Sequence, residues 1–176
     1  VEDEVDVHRV VLAWRAWATL PITGEEHAHT LLRQSLRYCL NHEEMRKTRK
    51  YGVSPIRELL PKLLERHKLL ADRSGAVADP GSLPMRVRKA DDAWIEKLAR
   101  TIYAASREQA AEAAAAALAE GFAANDVGEA ISLAANMLVL HDPGRADYTT
   151  KEKPRGSVHG DSVGVHASDS ANAWRN

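Results

Sequence analysis

Two histidines and two aspartates, His159, Asp161, His166 and Asp169, fall between positions 159 and 169 together with Gly160 and Gly164, and His141 and Asp142 precede them. Imidazole is the side chain that both titrates near neutrality and ligates transition metals, and carboxylates orient it. Glycine lets a substrate approach the backbone closely. Such a stretch suits one of two chemistries. In the first, His141, His159 and His166 hold a divalent transition metal ion. In the second, His159 and His166 exchange protons as acid/base groups with Asp161 as their orienter. Redox and hydrolytic reactions on a small-molecule substrate are both open. The plain alternative is that Asp, Ser and Gly only make turns here, with Ser168 or Asp169 capping a final helix.

Other histidines have simpler roles. His67 falls on an apolar stripe four residues after Leu63, where a buried imidazole usually bonds a backbone carbonyl. His8 lies beside a stripe and faces solvent. His27 and His29, two apart, point in nearly opposite directions on a helix and do not share an ion. Cys39 and His42 share a helical face, the arrangement a thiol nucleophile or two metal ligands would need, although a lone cysteine more often behaves as a small core residue. The basic run Arg46, Lys47, Arg49 and Lys50 has no interleaved aromatics and reads as a solvated face.

These groups must be positioned by helices. Apolar residues recur at steps of three and four from the start of the chain to about Leu140. Val7, Val10, Val11, Trp14 and Trp17 form the first stripe. Thr23 and Glu26 have capping-box spacing ahead of a second, whose buried face is Ala28, Leu31, Leu32, Leu36, Cys39 and Leu40. A third opens at Ser54 with Pro55 in its first turn and carries Ile56, Leu59, Leu60, Leu63 and Leu64; Pro61 should kink it. Residues 71–89, with Gly75, Pro80, Gly81 and Pro84, lack helical periodicity and read as a connecting loop that divides two helical layers. A fourth helix follows Asp91 or Asp92 with Trp94, Ile95, Leu98 and Ile102. Ser106 and Gln109 cap an alanine-rich fifth that Gly121 ends. Asp126 and Glu129 cap a sixth with Val127, Ala130, Ile131, Ala134 and Leu138. Small residues on the last two imply close packing.

The expected fold is therefore all-α: an irregular bundle, or a degenerate helical-repeat array, of about six helices. The helical body spans 1–140, and a loop-rich segment, 141–176, leads into a truncated helix. With 24 basic against 25 acidic residues, a net charge of −1 and 44% hydrophobic residues, the chain is read as soluble, with no nucleic-acid partner and no membrane span. It begins with Val1 and stops at Asn176 in what reads as a helix. It is therefore expected to be a piece of a longer protein, whose remainder is its first partner. The compartment is open. One cysteine excludes an intramolecular disulfide.

Three short stretches resemble known families. Lys153–Ala173, KPRGSVHGDSVGVHASDSANA, resembles the active-site stretch of nucleoside diphosphate kinases, which would make His166 the phosphorylated histidine in a ferredoxin-like α/β fold. The segment from Asp161 to His166 is shorter than in that family, and its Lys-Pro-Asp signature is absent. Gly160-Asp161-Ser162 resembles the serine-protease nucleophile motif, with Val163 where that motif has glycine. Residues 117–135, ALAEGFAANDVGEAISLAA, are similar to the helix-turn-helix of alkylhydroperoxidase-like and carboxymuconolactone-decarboxylase-like proteins. The redox site there needs two cysteines, and this chain has Cys39 alone. The readings that remain are a helical enzyme fragment with a His/Asp loop site, and a non-catalytic helical scaffold or interaction module.

Overall fold

The computed structural model describes residues 7–49, 55–69, 87–147, 149–159 and 162–175. Among them are seven α-helices, one 3-10 turn and no strand, so the all-α expectation holds. The helices are α1 (Val7–Thr23), α2 (Ala28–Arg49), α3 (Ile56–Arg66), α4 (Asp92–Ala104), α5 (Arg107–Ala119), α6 (Ala124–Leu140) and α7 (Val163–Arg175). None of the described helices is long and apolar enough to cross a membrane. Ser54 and most of the 71–89 stretch lie outside the described residues.

The axis of the bundle is α6, which packs most extensively against α7 and α4 and also touches α5. Alanine makes this closeness possible. Ala99 of α4 and Ala130 and Ala134 of α6 are almost wholly buried with Ile95, and Trp94, Leu98, Ile102 and Tyr103 close around them. A second cluster, Ala117, Phe122 and Val127, sits below the α5–α6 turn. There Phe122 stacks on Trp94 with ring centroids 3.8 Å apart and carries the Arg88 guanidinium on its other side. The chain entering α4 is tied to this turn by Arg88 N–H to Gly121 O, 2.8 Å, and Ala123 N–H to Arg88 O, 3.1 Å.

Two caps read from the sequence are present. Asp91 accepts from Trp94 N–H at the start of α4, and Ser106 and Gln109 form a reciprocal box at the start of α5. The other expected caps differ. The start of α6 is Ala124, two residues before Asp126, so Asp126 lies in its first turn and not at the cap; its carboxylate accepts from Ala90 N–H at 2.7 Å, satisfying a donor of the segment that enters α4. Thr23 is the last residue of α1 and its hydroxyl bonds Thr19 O, while Gly24, at φ 98°, makes the turn into a 3-10 segment, Glu25–His27, and α2. Glu26 sits in that segment rather than in a capping box. Pro61 lies inside α3, which continues through it to Arg66.

The helix expected at the C-terminal end is present but starts earlier than Ser168 or Asp169 would place it. The seventh helix begins at Val163, with Ser162 as its cap: its hydroxyl oxygen accepts from Val165 N–H at 3.1 Å. Ser168 and Asp169 are therefore interior residues of α7, not its caps. This helix packs against both α6 and α1. Outside it, α1 and α2 pair as a hairpin, and α3 touches α5 alone among the described helices. His67, just past the end of α3, meets a carboxylate and not a backbone carbonyl: its Nε2 lies 2.8 Å from Glu112 of α5, which also takes Arg66 at 2.9 Å.

The second stripe is exposed where burial was expected. Leu32, Leu36 and Leu40 face outward, as does Trp17 of the first. Periodicity marks an apolar face, but α2 contacts only α1 and the short turn, so that face has no neighbour among the described helices.

Candidate functional site

The chain leaves α6 through His141-Asp142-Pro143-Gly144. Proline cannot continue a helix, and Gly144, at φ 80°, turns the backbone back. Asp142 Oδ1 accepts the Gly144 N–H at 2.7 Å, an aspartate bonding the backbone two residues on. A side chain at Gly144 would run into the Gly156 carbonyl, while Gly156 has open space beside it and is suited to glycine by its φ of 82°. Arg145 N–H to Ser157 O at 2.8 Å and Gly156 N–H to Arg145 O at 2.9 Å close the clasp. The excursion from 145 to 157 thus returns to its origin, and His159 lands beside Asp142.

The two meet with His159 Nε2 3.7 Å from Asp142 Oδ1, long for a hydrogen bond but close enough for charge attraction, and their side chains are 18% and 21% exposed. Asp142 titrates below the usual carboxylate range. The Gly144 N–H is the chief cause and the Ser162 hydroxyl next; burial opposes them, and His159 adds a smaller lowering effect. One carboxylate therefore gathers the α6 terminus, the returning loop and the cap of α7.

These groups wall a cleft of about 600 Å³, shared with His141, Tyr103, Arg145 and the first residues of α7. The His141 ring is tilted against Tyr103 at 5.7 Å between centroids. Gly164 lets α7 reach this place. A Cβ there would stand 2.5 Å from Val139 N and 2.6 Å from Leu138 C, so only glycine allows the start of α7 to lie on the end of α6.

Of the residues singled out from the sequence, His141 and His159 share the cleft. Asp161 lies outside the described residues. His166 is not in the cleft wall; on α7 it faces α1, with its ring edge-on to His8 at 5.5 Å. His8 also lies 5.9 Å from Tyr38, which lies 5.9 Å from His42. Among the described residues no three His, Cys, Asp or Glu side chains are grouped to hold a metal ion. His166 does not join His141 and His159 in the cleft wall. Cys39 is half-buried on α2. The orienting carboxylate beside His159 is Asp142, and Ser162 and Tyr103 complete the wall; the Asp-Pro-Gly turn closing an apolar helix was the signal for the first of these.

The His-Ala-Ser-Asp-Ser run, 166–170, lies wholly inside α7, and the α/β fold implied by the kinase resemblance has no strand to represent it among the described residues. The chain matches no protein-family model, no curated protein and no solved structure.

Proposed function

We propose that this chain carries an acid–base site for a small polar substrate, with His159 as the proton-transfer group and Asp142 as the carboxylate that orients it. The observation that supports this is the approach of His159 to a carboxylate held ionised by backbone and hydroxyl donors, on the wall of a cleft large enough for a small molecule. With Nε2 turned toward the carboxylate, the ring is oriented by charge attraction and its other nitrogen is left for a substrate. When it takes a proton, the neighbouring charge stabilises the imidazolium. His141, across the same wall and braced on Tyr103, is the second group able to exchange a proton with a bound ligand. Ser162 is occupied in this arrangement. Its oxygen accepts the Val165 N–H and its hydroxyl is among the groups that lower the titration of the Asp142 carboxyl, so it serves the helix start and the carboxylate.

The test is a panel of small carbonyl compounds and esters, scored for perturbation of the His159 and His141 ring signals by NMR and for turnover. Binders should move both rings. His159→Gln should lower turnover by about a hundredfold or more, the usual scale of general acid–base catalysis, with the circular dichroism spectrum unchanged. Asp142→Asn should lower it less. A panel that moves neither ring, or turnover indifferent to His159→Gln, would defeat the proposal.

A further inference from the structure

A second concave surface lies away from the cleft, in the groove between α1 and α2. Its walls are Leu12, Arg15, Ala16 and Thr19 from α1 and a face of α2 running from Leu31 to Asn41. The floor is made of small residues. Ala16 and Ser35 are each 8% exposed, and with Leu31 they leave a recessed apolar trough of about 650 Å³. At 1.5 Å per residue the α2 side is about 15 Å long, close to three helical turns.

The charge of this surface has one sign. Arg15 stands on the α1 rim, its guanidinium 5.2 Å from the Trp14 ring, and Arg37 stands on the α2 rim. No Asp or Glu lines the groove, and none occurs between Val7 and Thr23 or between Ala28 and His42. Neither arginine is paired with a carboxylate among the described residues, whereas Arg9, Arg66, Arg88 and Arg100 all are. In a chain whose total charge is −1, this is a local excess of unneutralised guanidinium.

We propose that the α1–α2 groove docks an acidic amphipathic helix of a partner protein, which would complete a three-helix bundle. An apolar ridge on that helix would fill the trough, where Ala16 and Ser35 allow close approach, and its flanking Asp or Glu side chains would meet Arg15 and Arg37. A second copy of the hairpin does not answer to this surface, because two-fold pairing would set arginine against arginine. A bilayer does not either, since the floor is recessed below the cationic rim and the outward apolar side chains Trp17, Leu36 and Leu40 do not line the groove. The site is independent of the His159 cleft, so loss of one leaves the other intact.

The experiment is fluorescence anisotropy of the full chain with a synthetic amphipathic helix of about four turns, Leu at i, i+3, i+4 and i+7 with flanking Glu. The same peptide with Lys for Glu is the control. The Glu peptide should bind, weaken as salt rises, and outcompete the Lys peptide by tenfold or more. Arg15→Glu with Arg37→Glu should reverse that preference, and Arg15→Gln with Arg37→Gln should abolish it, with circular dichroism confirming the helix content of each. Equal binding of the two peptides overturns the proposal, as does no binding of the Glu peptide up to about 1 mM. Binding to phosphatidylserine vesicles lost in the same variants would assign the groove to a membrane, and an Arg15- and Arg37-dependent dimer in sedimentation would assign it to a second copy; either result also overturns it.

Discussion

Replacing Gly164 by alanine sets two effects of opposite sign against each other. Within a helix, glycine to alanine stabilises by about 1 kcal/mol, because alanine loses less backbone freedom on folding. Here the new Cβ would stand 2.5 Å from Val139 N and 2.8 Å from Leu138 O, and both are backbone atoms of α6 that cannot rotate aside. Relief requires the start of α7 to move outward by roughly 1 Å to restore ordinary contact distances. Overpacking of this kind costs about 1–3 kcal/mol, and a rigid obstacle places this site at the upper end. The net expectation is a loss of about 2 kcal/mol, read by equilibrium urea unfolding. The displacement also carries Ser162, two residues earlier, away from Asp142. That carboxylate should then titrate closer to its ordinary value of 3.8, followed by carboxyl 13C chemical shifts against pH. Gly128→Ala is the control of opposite sign. Its Cβ would meet only the Arg175 side chain, at 3.3 Å, which can swing away, so the helix preference of alanine should prevail by about 0.5–1 kcal/mol. A Gly164→Ala protein as stable as the parent, with Asp142 unmoved, would refute the close-approach argument and with it the account of how the cleft is assembled.

Phe122→Ala should cost about 3 kcal/mol in urea unfolding, because the ring is 8% exposed and supports both the Trp94 stack and the tie between Arg88 and the α5–α6 turn. Ser106→Ala removes the hydroxyl that accepts Gln109 N–H and leaves the first turn of α5 with an unsatisfied donor, for a loss of about 1 kcal/mol by the same measurement. The stability contributed by Asp142 follows from a folded-state pKa below the ordinary value: it is fully present above about pH 4 and is lost as pH falls through the lowered value. Asp142→Asn should therefore flatten the acid limb of a plot of unfolding midpoint against pH; an unchanged limb would show that the carboxylate is not held by its donors.

Helix identity was legible wherever a local signal carried it. The apolar spacing from Trp94 to Ile102, the Asp91 cap and the Ser106–Gln109 box each depend on residues within four positions, so the sequence displays the whole interaction. What covers each helix was not legible, because that depends on distant chain. Leu32, Leu36 and Leu40 have helical spacing whether or not another helix lies over them, and among the described residues none does. Asp126 shows the same limit at a cap: its spacing to Glu129 is that of a box, but α6 begins two residues before it and the Asp126 carboxylate serves the distant Ala90 N–H.

The candidate site divides along the same line. Proximity in sequence grouped His159, Asp161 and His166, but a helix starting at Val163 turns side chains through about 100° per residue. His166, three residues into α7, is directed by that rotation and by the contact of α7 with α1 toward His8, while His159 remains on the loop before the cap. The partner of His159 is seventeen positions away. It arrives because Gly144, where a Cβ would collide, can rest against the Gly156 backbone, and because Arg145 and Ser157 bond across the clasp. Gly144 and Gly156 therefore act as the hinge and seam of a returning loop, and Gly164, first read as room for a substrate, makes room for the end of α6. A histidine with a spare carboxylate is produced by the closure of that loop, so a substitution that opens the 144–156 contact should separate His159 from Asp142 without touching either side chain.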